Sequence, residues 1–149
     1  MRFAARFALL LVFIVSLPQP EAAGESPLEG MYSLTGLNPD GSEYRGLVKI
    51  VSRGESFLVS WMFPRFSGET VVATITSAGV GIAKGETLAV SFYGQDATGV
   101  ALYRIEEGGR RLSGEWVSAN DQSGAVHSET LTKLPATPTS VSPAPTESG

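Results

Sequence analysis

The 149-residue sequence contains no cysteine and one histidine, His127. Without cysteine there are no disulfides, no thiolate metal sites and no lipid-modified residue behind a leader, so stability rests on a packed core. With one histidine, nucleophilic catalysis has little to build on. Ser128 adjoins His127, but neighbouring strand residues project to opposite faces and do not form a base and nucleophile pair. No nucleophile elbow is present. Asp40, Asp96 and Asp121 stand singly in turn-like segments, where aspartate serves local hydrogen bonds rather than a metal cage. The run Gly79-Val80-Gly81-Ile82-Ala83-Lys84-Gly85 lacks the Gly-Lys-Ser/Thr ending and the following helix of a phosphate loop. It reads as a short bent strand whose glycines suit a close backbone contact. Nothing calls for a cofactor or a metal.

Excess positive charge is also missing. Eleven Lys and Arg stand against fifteen Asp and Glu, a net charge of −4. Nucleic-acid binding needs a basic stripe, so that class of partner is excluded. No helical period follows the first two dozen residues.

What is present begins with an export signal. Arg2 and Arg6 precede the apolar run Phe7 to Leu17, and Pro18 and Pro20 break it before a stretch of small residues. This is the order of a cleavable secretory leader covering residues 1–24, with the cut favoured after Gly24. The run is about half the roughly 20 residues that span a bilayer, so no stable span is expected once the leader is removed. Loss of Arg2, Arg6 and Glu21 moves the net charge to about −5. Residues 135–149 are rich in Pro, Thr and Ser and read as a disordered tail. One domain, residues 28–134, lies between.

Across that domain, short β-branched and aromatic runs recur between Gly, Asn, Asp and Ser clusters, the signature of an all-β fold. Strands are expected at 30–37, 43–51, 56–63, 70–77, 79–83, 87–93, 99–106, 111–118 and 125–133. Asn38-Pro39-Asp40-Gly41 and the other glycine turns make hairpins, and parallel crossovers would need absent helices. The expected architecture is an antiparallel up-and-down meander barrel of 8–9 short strands, with a β-sandwich as the alternative. Phe57, Val59, Trp61 and Phe63 share one face of their strand, as do Leu88, Val90 and Phe92, and Leu112 and Trp116. Trp61, Phe63, Phe92 and Trp116 are the candidate ligand-binding residues lining the barrel. Glu115 and Glu129 are the carboxylates that a hydrolase or isomerase would use. Otherwise both are expected in solvent or paired with Arg104, Arg110 or Arg111.

Several segments carry a family resemblance: Tyr32 to Gly41, Tyr44-Arg45-Gly46, Ser60-Trp61, Gly79-Val80-Gly81, Leu88-Ala89-Val90, Gly99 to Tyr103 and Leu112 to Trp116. Together they resemble a group of small exported bacterial proteins labelled fibronectin-binding. The resemblance runs from about Tyr32 to Leu131 and implies a secreted β-domain with adhesive binding. It assigns no binding residue. Gly114-Glu115-Trp116 and the meander are more loosely similar to avidin and lipocalin (calycin-like) barrels, without the lipocalin helix and disulfides. The sequence thus points to a soluble, periplasmic or extracellular, non-enzymatic binding module. Its partner would be a protein or a small apolar ligand. An envelope-associated structural domain is the remaining alternative.

Overall fold

A computed structural model describes residues 26–95 and 97–136. The leader and Asp96 lie outside these residues, as does the tail beyond Ala136. Eight strands follow in order: β1 Gly30–Leu37, β2 Glu43–Arg53, β3 Ser56–Ser67, β4 Thr70–Lys84, β5 Thr87–Gly94, β6 Thr98–Glu106, β7 Arg111–Ser118 and β8 His127–Lys133. Each pairs antiparallel with the next, and β8 pairs with β1 to close the barrel. The meander reading therefore holds, and the sandwich alternative falls with the closing ladder.

The hairpin chemistry is repetitive. Three two-residue loops are all Gly-Glu, at Gly54-Glu55, Gly68-Glu69 and Gly85-Glu86, and their glycines have φ of 62°, 61° and 58°. A positive φ at the first loop position gives the turn twist that matches right-handed strands. The turn Asn38 to Gly41 closes with a Gly41 N–H to Asn38 carbonyl bond of 2.9 Å, and Gly41 takes φ 84°.

The expected strands 70–77 and 79–83 are one strand, β4. Ser77, Ala78 and Gly79 keep unbroken register with Trp61, Ser60 and Val59 of β3. Gly79 is small to admit a close neighbour and not to make a turn: an added Cβ would meet the Ser91 carbonyl, and the Trp61 ring at 3.1 Å. Strand β8 begins at His127, two residues later than expected, because Asp121 caps a turn by accepting from the Ser123 N–H at 2.8 Å.

Alternation puts Tyr32, Leu34, Val48, Ile50, Val59, Leu88, Leu112 and Leu131 inside, each nearly inaccessible to water. Each such side chain contributes about 1.5–3 kcal/mol of transfer free energy. One end of the barrel is shut. Leu28 is buried there, and the Tyr32 hydroxyl shares its proton between the carbonyls of Leu28 (2.9 Å) and Gly109 (2.8 Å). Burial pushes the Tyr32 pKa up to about 12, so this donor stays protonated. Lys133 reinforces the closure by donating to the Pro27 carbonyl at 2.7 Å.

The opposite end carries the loops β1–β2, β3–β4, β5–β6 and β7–β8. Here the β3–β4 hairpin overhangs. Beyond Met62 and Ser77, its strands pair with each other but no longer with β2 or β5. The overhang is about five residues on β3, or roughly 16 Å, and its tip exposes Phe66, Val71 and Val72. The outer wall of β4 to β6 also exposes apolar side chains, among them Val80, Ile82, Val100 and Leu102. Among the described residues no helix is long and apolar enough to cross a membrane.

Candidate functional site

The site grows from one row of residues in register across five strands. Tyr44 on β2 lies opposite Gly36 on β1, and Gly36 lies opposite Glu129 on β8. Glu129 in turn lies opposite Gly114 on β7, and Gly114 opposite Tyr103 on β6. The carboxylate is thus flanked by a glycine on each side, with a tyrosine beyond each glycine. Neighbouring strands are about 4.8 Å apart, so a tyrosine two strands away starts nearly 10 Å from Glu129. Each ring spans that gap by lying over the intervening glycine. A Cβ at Gly36 would collide with the Tyr44 ring, and one at Gly114 with the Tyr103 ring.

Both hydroxyls reach the acid. Tyr44 donates to Oε2 of Glu129 at 2.9 Å and Tyr103 donates to Oε1, while the Trp116 indole donates to the Tyr44 hydroxyl at 2.6 Å. Glu129 is only 6% exposed. Among the described residues no lysine or arginine pairs with it. The sequence expectation of a solvated or arginine-paired Glu129 is therefore corrected. It missed the burial because a glutamate between Ser128 and Thr130 looks like an outward residue until the glycines opposite it are placed in register.

Burial is the main influence on Glu129 and raises its pKa above 4.5, with hydrogen bonds from Tyr103, Tyr44 and Trp61 and the field of His127 pulling the other way. The tyrosine pKa values are raised as well, first by burial and then by the adjacent Glu129, so both remain donors. A raised carboxyl pKa stabilises the fold while the group is protonated. Glu129 therefore gives its full stabilising contribution below pH 4.5, and that contribution is lost as pH rises through its folded-state pKa. Denaturation midpoints measured against pH should show Glu129→Gln gaining on the parent as pH rises. Parallel curves would refute a titrating Glu129. Asp40 and Asp121 do not confound the comparison, since their lowered pKa values act in acid and are common to both proteins.

Around this row stands an aromatic arc. Trp61 and Phe92 have ring centroids 5.8 Å apart, Phe92 and Trp116 5.8 Å, Trp116 and Tyr44 6.4 Å, and Tyr44 and Phe63 6.2 Å. All four contacts are tilted or edge-on, a geometry favoured by ring quadrupoles. The arc encloses a cavity of about 70 Å³ at the open end, and Glu129, Tyr103 and Ser77 also line it. The structure thus brings Trp61, Phe63, Phe92 and Trp116 together on one cavity. Tyr44 and Tyr103 are the members that the sequence reading did not name as site residues, and Glu129, named there only with Glu115 as a hydrolase carboxylate, joins them.

At the rim His127 stacks on Trp116, with ring centroids 3.9 Å apart and planes 11° apart, and lies 3.3 Å from the Asn38 side-chain oxygen and 3.8 Å from Asp121. It braces the tryptophan. Glu115, adjacent to Trp116, points outward and is exposed. Glu115 and Glu129 therefore lie on opposite faces of the wall, and the two-carboxylate arrangement considered for a hydrolase or isomerase is not assembled by this pair. Among the described residues no group of three His, Asp or Glu is placed to hold a metal.

Comparison with known proteins bears on the fold. A redesigned β-barrel superposes with a TM-score of 0.63 at 16% identity, covering 74% of this chain and 94% of that one. The redesigned barrel mFAP1, bound to DFHBI, gives 0.58 at 16% identity over 72% and 95% of the two chains. A de novo fluorescence-activating barrel gives 0.55 at 15% identity over 71% and 93%. The likeness is one of architecture. No family model and no curated protein matches the sequence.

Proposed function

We propose that this protein is an exported, non-enzymatic barrel that binds a small molecule at its open end. The carrying observation is the cavity of about 70 Å³ enclosed by Tyr44, Trp61, Phe63, Phe92 and Trp116 with a buried carboxylate in its wall. A barrel of eight strands either fills its interior or holds one small ligand, and this one is filled at its closed end and hollow at the other. That mFAP1 is a barrel bound to DFHBI supports the reading by analogy of fold. The leader supports export. A second reading, adhesive contact with a protein, is favoured by the exposed Val80, Ile82, Val100 and Leu102 on the outer wall.

One experiment separates the two. The protein is recovered from the extracytoplasmic fraction, where its mass should match a chain starting at Glu25, and is screened for tryptophan fluorescence change against a small-molecule library. Matrix proteins are run in parallel on an immobilised surface. Saturable binding of a small molecule that Phe92→Ala abolishes supports the cavity. Binding only to a matrix protein, lost on replacing Leu102 with Glu, moves the function to the outer wall. Retention in the cytoplasm with the leader uncut would remove the export part of the proposal.

A further inference from the structure

The cavity has a chemistry more specific than its apolar lining suggests. Glu129 is nearly inaccessible to water, and both of its oxygens are already held by tyrosine hydroxyls. Those bonds orient the carboxylate, yet among the described residues no lysine or arginine pairs with it, and His127 reaches it only through its field. Most of the remaining wall is made of aromatic rings, with Ser77, Ala97 and Ala101 among them, and ring faces attract cations while ring edges pack against one another. A buried carboxylate and an aromatic enclosure that share one cavity form the constellation that recognises an organic cation. Burying an anionic group there would set it against Glu129, and a neutral apolar group would leave the carboxylate without a counter-charge. The volume sets the size. About 70 Å³ is several times the roughly 10–15 Å³ that a single water needs and is below the usual range for a whole drug-sized ligand, so it suits one head group with the rest of the ligand toward the mouth.

We infer that the cavity takes the ammonium head of a small organic cation, held between the Glu129 carboxylate and the rings of Tyr44, Trp61, Phe92 and Trp116. The inference rests on the proposed small-molecule site and names its ligand class. The row geometry explains how one carboxylate is kept ready: the two tyrosines fix it from both sides over Gly36 and Gly114, so little reorganisation is needed when the cation arrives.

The test uses the full-length processed protein with choline and its carbon isostere dimethylbutanol, in which a tert-butyl group replaces trimethylammonium. The two probes match in shape and differ in charge. Binding is followed through the fluorescence of the two tryptophans, Trp61 and Trp116, and by calorimetry. Choline should bind at least about tenfold more tightly than the isostere. Glu129→Gln should erase that preference while leaving isostere binding in place. Equal or tighter binding of the isostere to the parent protein would overturn the cation assignment and leave the small-molecule reading standing. Failure of both probes, together with an empty library screen, would overturn both. The comparison between probes on the parent protein needs no variant, so it decides the question even if Glu129→Gln folds poorly.

Discussion

Replacing Trp61 with alanine should lower the free energy of unfolding by about 3–5 kcal/mol, the range for deleting a large buried aromatic side chain. Trp61 is 5% exposed, lies in register between Val48 and Ser77, and packs 5.8 Å from Phe92. Its environment cannot collapse into the vacancy. The strand facing it carries Gly79, which has no side chain to fill the gap, and the existing cavity of about 70 Å³ adjoins it. Chemical denaturation should therefore show a lower midpoint at unchanged slope. A loss below about 1 kcal/mol would mean that the arc is loosely packed, contrary to the ring contacts described above.

Gly114→Val should be comparably damaging. The new side chain would occupy space held by the Tyr103 ring, which is almost wholly buried and anchored by its hydroxyl to Glu129. Overpacking of this kind costs about 1–3 kcal/mol. Displacing the ring also breaks its bond to Glu129, and hydrogen bonds to ionisable groups contribute about 1.5–3 kcal/mol. The mechanism has its own signature in a double-mutant cycle. With Tyr103→Ala in the background, Gly114→Val should cost much less than it does alone, because the ring it strikes is gone. Additive losses would show that Gly114 matters for backbone reasons and not as the bed of Tyr103.

The contrast between the barrel and its site shows what alternation in sequence can carry. Strand β1 was expected at 30–37 and occupies Gly30–Leu37, since a β-branched and aromatic run between turns needs little more to define it. The inward rows of Trp61, Leu88 and Leu112 were legible for the same reason: period-two alternation needs no knowledge of distant strands. The burial of Glu129 and its tyrosine partners were not legible. Its burial depends on Gly36 and Gly114, 93 and 15 residues away in the chain, standing directly opposite it, and on tyrosines one strand farther. That is information about register. The sequence does carry one trace of it, since a tyrosine-led strand followed by a glycine-bearing strand occurs at Tyr32 to Lys49 and at Tyr103 to Trp116, but hairpin formation alone would produce the same outline. The break expected between residues 77 and 79 failed in the other direction: β4 runs through it, and Gly79 gives the close contact its sequence suggested, to the Trp61 ring and a β5 carbonyl.

The overhanging end of the β3–β4 hairpin has an evolutionary consequence. Rungs within the barrel are shared by two neighbours, so an inserted residue there shifts a register that the whole ring must absorb. Rungs in the overhang belong to one hairpin alone. Its length is therefore a free variable: two residues added to each strand would carry Phe66 and Val71 farther from the barrel on the same face, while one added to each would turn them to the other. Lineages can remodel the approach to the mouth by small insertions here without disturbing the row that holds Glu129.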